Sequence, residues 1–123
     1  MFYQELYPLL GKLFYYIAAA DGEIQPTEKE TLRQFIQKNW KPLENSTDRY
    51  GTDQAYLIDF SFDYLEAEGP KENIFQSFEE FYHENKPKFT AEIINNILQT
   101  AKAIASAYPE ENRREEQVLG RII

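Results

Sequence analysis

The chain has 123 residues with 13 Lys+Arg against 21 Asp+Glu, a formal charge of −8. Its 9 Phe, 9 Tyr and 1 Trp are too many aromatics for a disordered chain, and the length suits one domain over residues 1–123, with a core that needs no staple. The absence of cysteine excludes disulfides, thiolate metal sites and cysteine nucleophiles, and the acid excess speaks against nucleic-acid backbones and polybasic membrane contacts.

The N-terminal segment Met1 to Leu10 has an acid and no base, and no small-residue cleavage site follows it. The longest apolar stretch, Leu13 to Ala20, falls far short of the ~20 residues of a membrane span. The expected location is the cytoplasm, with no insertion into a membrane.

Helical periodicity dominates from the start. Leu6, Leu9, Leu10, Leu13, Phe14, Ile17 and Ala20 form an apolar stripe. Pro8 lacks an amide proton and is tolerable only in a first turn, so the regular helix is expected from about Leu6. It should stop at Asp21-Gly22, where glycine accepts a left-handed cap. The second helix opens at Gln25-Pro26-Thr27-Glu28. Pro26 suits the first helical position, and Glu28 or Glu30 can complete a capping box or match the helix dipole. Leu32, Phe35, Ile36 and Trp40 give its buried face, and Pro42 ends it.

The polar run from Leu43 to Thr52 reads as a loop. A third helix from about Asp53 to Glu68 carries Tyr56, Leu57, Phe60, Tyr64 and Leu65, and stops at Gly69-Pro70. A fourth, about Glu72 to His83, turns Ile74, Phe75, Phe78, Phe81 and Tyr82 inward, as core rather than as a ligand box. After Asn85 to Lys88, Thr90 caps a fifth helix from Ala91 to about Ala107, with Ile93, Ile94, Ile97, Leu98, Ala101 and Ile104 inward. A sixth, about Glu110 to Arg121, holds Val118, Leu119 and Ile122. No segment alternates over a strand length. The expected fold is all-α, a compact single-domain bundle of about six helices.

The chain also repeats itself. Ile17-Ala-Ala-Ala20 followed by Glu23, Glu28 and Leu32 aligns, at an offset of 87 residues, with Ile104-Ala-Ser-Ala107 followed by Glu110, Glu115 and Leu119. Ala and Glu are common helix residues, so coincidence competes, but duplication of a helical hairpin is the better explanation. The turn differs between the copies: Asp21-Gly22 in the first, Tyr108-Pro109 in the second. Tyr108 removes a carboxylate and Pro109 removes the glycine.

The candidate chemistry lies in the first copy. Asp21-Gly22-Glu23-Ile24 with Glu28 matches the second half of a calcium-binding loop, but the first half would fall on Ile17 and Ala19, so an EF-hand is excluded. Asp21 and Glu28, with Glu23 close by, remain as a possible oxygen site for calcium, magnesium or manganese. An acidic stripe of Asp59, Asp63 and Glu66 could add a ligand. The competing reading is structural: a helix stop, a dipole-matched glutamate and a solvated face. Glu80 and His83 match half of a di-iron motif that needs two copies, and one histidine with no cysteine disfavours zinc. No phosphate loop or serine elbow is present, and no acid pair stands out for catalysis, so no enzyme is expected.

The run from Phe14 through Ala20-Asp21-Gly22-Glu23-Ile24 and Pro26-Thr27-Glu28 to Leu32 resembles the signature of the tellurite-resistance TerB-like family. The resemblance is specific over about residues 10 to 36 and looser over 97 to 119. It implies a compact helical domain whose acids chelate a divalent metal, working in stress-response or membrane-associated complexes. By position it points to Asp21 and Glu28, with Glu115 as the counterpart in the second copy. Tyr108 and Pro109 depart from the family's acidic turn. Two functions therefore stand open. One is a cation-binding sensor or adaptor. The other is a metal-free module that engages a protein partner or a second copy, with the apolar run from Val118 to Ile123 as one candidate surface.

Overall fold

The computed structural model describes residues 2–20, 24–42, 55–69 and 73–106. Five α-helices are found among them, joined by two short tighter or wider turns: α1 (Phe2–Ala18), α2 (Pro26–Phe35), a π-helical turn (Ile36–Trp40), α3 (Tyr56–Glu68), α4 (Ile74–Glu84), a 3-10 turn (Lys86–Lys88) and α5 (Ala91–Ser106). The all-α expectation holds, with five described helices; the expected sixth, from Glu110 to Arg121, lies outside the described residues. So does the second copy of the repeated turn. None of the five is long and apolar enough to cross a membrane.

The central helix is α1, against which α3, α4 and α5 all pack, while α2 rests on α5. Leu6, Leu10, Leu13, Phe14 and Ile17 of α1 are fully buried, as its stripe requires. The helix nevertheless begins at Phe2 and not near Leu6, and Pro8 sits inside it. The compensation is aromatic. The Phe2 ring stacks on Phe81 at 5.7 Å and meets Phe89 edge-on at 5.3 Å, which holds the first turn to the core despite the hydrogen bond that Pro8 cannot donate.

The start of α2 follows the sequence expectation. Pro26 occupies the first helical position, and the Glu28 carboxylate accepts the Gln25 backbone N–H at 2.8 Å. The end of this helix does not. The last turn widens into a π-turn, with Lys41 N–H donating to the Ile36 carbonyl at 2.9 Å, and this buries Ile36 and Trp40 together. Phe35, expected in the core, is only half-buried. Polar contacts from α5 hold the turn. Trp40 Nε1 donates to Thr100 Oγ1 at 3.1 Å, and Asn96 Nδ2 donates to the Asn39 carbonyl at 3.0 Å. Thr100 and Asn96 are thus buried polar residues with partners, as burial demands.

Two more caps are local in origin. Asn73 Oδ1 accepts Gln76 N–H at 3.1 Å to open α4, and Thr90 Oγ1 accepts Ile93 N–H at 3.2 Å to open α5. On α5, Ile93, Ile97, Ala101 and Ile104 face the core as expected, whereas Ile94 is exposed and Leu98 is half-buried.

The main refinement concerns α3. Its buried face is Ile58, Ser61, Phe62 and Leu65, so of the apolar residues named for this helix Leu65 is in the core while Tyr56, Phe60 and Tyr64 point outward. Gly11 explains the choice. A Cβ added to it would lie 2.3 Å from the Ile58 carbonyl oxygen and 2.7 Å from Ser61 Cβ. The backbones of α1 and α3 approach so closely there that only hydrogen fits on one side and a small side chain on the other. A bulky ring such as Phe60 would hold the two helices apart.

Candidate functional site

Of the three residues expected to hold a cation, Glu28 is the one the structure describes; Asp21 and Glu23 lie outside the described residues, as does Glu115. Glu28 is the third residue of α2 and is 1% exposed, with one carboxylate oxygen committed to the Gln25 amide. Its capping role is therefore real. The half-buried Ile24 just before it packs against the core and fixes the chain's entry into α2. Among the described residues, no three His, Cys, Asp or Glu side chains are grouped so as to hold a metal ion.

The acidic stripe on α3 has a different employment from the one expected. Lys29, one residue beyond Glu28 on α2, places its Nζ 3.1 Å from Asp59 Oδ1 and pairs also with Asp63. Arg33, one turn further along α2, brings Nε to 3.7 Å from Asp59 Oδ2. The same lysine ammonium lies 4.7 Å from the centre of the Phe62 ring. Two carboxylates and an aromatic face thus form a receptor for a cation, and the cation is the protein's own. The Lys29 side chain is only 12% exposed, so this interaction is weakly screened on the lysine's side.

Outside that seam the same helix presents a row at i, i+4 spacing: Tyr56, Phe60, Tyr64 and then Glu68. Tyr56, Phe60 and Tyr64 are 52%, 64% and 49% exposed. From first ring to last the row spans eight residues, about 12 Å at 1.5 Å per residue. Glu68, which continues this row, is exposed and carries no ion pair among the described residues; Glu66, also exposed, lies on the Asp59 side of the helix. Single exposed rings are ordinary, but three in one line make a contiguous apolar ridge. Sequence reasoning named these rings as positions of the helix without saying which face they occupy. The available signal was that α3 is apolar on two opposite faces, with Ile58 and Phe62 on one and Phe60 and Tyr64 on the other, more than one buried stripe needs.

A third feature is an open groove of about 310 Å³ along α4, lined by Asn73, Phe75, Gln76, Glu79, Glu80 and His83. Glu80 and His83 do not act as a pair there. Glu80 Oε1 accepts Gln76 Nε2 at 3.3 Å, and His83 Nε2 lies 3.9 Å from Glu79. These are i, i+4 contacts along one exposed helix face.

No family model matches the chain, and neither a curated protein nor a solved structure shows significant similarity to it.

Proposed function

We propose that the protein is a non-catalytic helical interaction module, working in the cytoplasm, whose docking face is the aromatic row of α3. The observation that carries this reading is the exposure of Tyr56, Phe60 and Tyr64 in a single line, while α3 already buries a complete second face against α1. Ridges of this kind serve binding more often than stability, because aromatic side chains supply large contact area at low entropic cost. A photo-crosslinking amino acid at position 60, compared with the same group at the exposed Lys102 of α5, tests it in cells. Discrete higher-mass adducts from position 60 alone are expected. Adducts from neither position, or equally from both, overturn the reading.

One observation favours a second reading, in which the turn before α2 responds to a divalent cation. Glu28 is buried and held in a fixed position directly after the acidic Asp21-Gly22-Glu23 sequence, and the resemblance to TerB-like domains covers the same residues. One oxygen of Glu28 serves the cap, so the cation would share the carboxylate and depend on Asp21 and water for the remaining positions. Calorimetric titration with calcium, magnesium and manganese should then give heats that vanish in Asp21→Asn. Absence of binding, or binding unaltered by that substitution, ends this reading.

A further inference from the structure

We infer that the partner segment that docks on the α3 ridge is cationic, carrying arginine or lysine between apolar anchors; this rests on the ridge being the docking face. Charge and an internal example both lead there. Helix α3 bears Asp59, Asp63, Glu66 and Glu68 and no basic residue. Lys29 and Arg33 neutralise the Asp59 side of the helix. Glu68, one turn beyond Tyr64 at the end of the exposed row, has no such neighbour among the described residues.

Lys29 already demonstrates how this helix receives a cation, with carboxylates on either side of the ammonium and the Phe62 ring beneath it. The outer row offers the same two elements to solvent: rings at 60 and 64, with the exposed Glu68 one turn beyond Tyr64 and the half-exposed Asp63 one turn from Phe60. A guanidinium over an exposed ring gains from the ring's quadrupole and from the adjacent acid together, and arginine makes such contacts more often than lysine. Apolar side chains between the charges would cover the rest of the rings, the pattern of an amphipathic helix laid along a 12 Å row (about two turns, by rise per residue). A second copy of the chain is the less suitable occupant. It brings a net charge of −8 and an identical row of acids against the first, a like-charge arrangement that costs affinity.

The test uses the full chain and two fluorescent peptides of about 16 residues, both with a leucine stripe at helical spacing. One is flanked by four arginines and the other by four glutamates. Fluorescence anisotropy should show the arginine peptide bound at least tenfold more tightly. Its affinity should fall at least fivefold in Phe60→Ser, severalfold in Glu68→Gln, and further with added salt. Circular dichroism of each variant verifies the fold.

Equal binding of both peptides, lost in Phe60→Ser, overturns the cationic assignment and leaves the docking face standing. So does self-association that disappears in Phe60→Ser, since the occupant is then a second copy. Arginine-peptide binding that survives both Phe60→Ser and Tyr64→Ser overturns the inference by placing the contact elsewhere. Binding of neither peptide, with no self-association, overturns the inference and the docking face together.

Discussion

Helix α3 is held from two sides by different physics. Toward α1 the contact is dry and close, with the backbones meeting over Gly11 and the Ser61 side chain. Toward α2 it is ionic, with Lys29 between Asp59 and Asp63 and Arg33 at the edge. A glycine contact tolerates no added atom, because interiors are packed to crystal density. An ion pair with one partner half in water tolerates adjustment and gains little on balance. The α1 seam therefore sets where α3 lies, and the α2 seam tunes it. The ring-bearing side of α3 belongs to neither seam.

The largest expected effect comes from breaking the dry seam. Gly11→Ala puts a methyl group 2.3 Å from the Ile58 carbonyl oxygen, a backbone atom that cannot rotate away. Overpacking costs about 1–3 kcal/mol, and alanine's better helix propensity returns up to about 1 kcal/mol of it. With the clash on a backbone atom the cost falls at the top of that range, so a net loss of about 2 kcal/mol is expected, read in urea unfolding, with Tm lower by roughly 8 °C. Ser61→Gly should not rescue it, because Ser61 Cβ is the second clash at 2.7 Å and the carbonyl remains. Unchanged stability in Gly11→Ala would mean the helices are not in close contact and would remove the reason for the orientation of α3.

That contact also marks the limit of what the sequence discloses. Local signals read correctly: Pro26 and Glu28 at the start of α2, Thr90 before α5, the stripe of α1, and the all-α class. Each depends on residues within a turn or two of one another. The rotation of α3 depends on Gly11, more than forty residues away in the chain. Periodicity alone could not choose between the 56/60/64 row and the 58/62/65 row, since both are apolar. The π-turn after α2 was hidden for the same reason, being held by Asn96 and Thr100 of α5. At the acidic turn, the place of Glu28 in its helix was legible, but its burial was not, because burial is decided by what packs over it. Asp21 and Glu23 lie outside the described residues.

Breaking the ionic seam should cost less. Lys29→Met removes the cation from between Asp59 and Asp63 and leaves two carboxylates one helical turn apart. A fully buried pair losing one partner costs about 3–5 kcal/mol, but Asp63 is 51% exposed and water screens what remains. A loss of about 1–2 kcal/mol is expected, and Lys29→Met/Asp59→Asn/Asp63→Asn should recover most of it. Raising the salt concentration should narrow the gap between wild type and Lys29→Met, because screening weakens both the lost attraction and the new repulsion. A loss that the triple variant fails to recover would show that the lysine's aliphatic stem and its contact with the Phe62 ring matter more than its charge.

The smallest effect is expected on the third side, and its smallness is what separates docking from stability. Phe60 is 64% exposed and belongs to neither seam. Removing its ring takes little apolar surface out of the folded core, so Phe60→Ser should shift the unfolding free energy by no more than about 0.5 kcal/mol, the range of surface substitutions. Serine has a somewhat lower place than good helix formers, similar to phenylalanine itself, so propensity contributes almost nothing. The urea midpoint and slope should both stay near wild type, since a changed slope would signal a change in buried area. A loss of 2 kcal/mol or more would mean that another part of the chain covers the ring in the folded protein. The row would then be a third internal seam, no longer available to a partner.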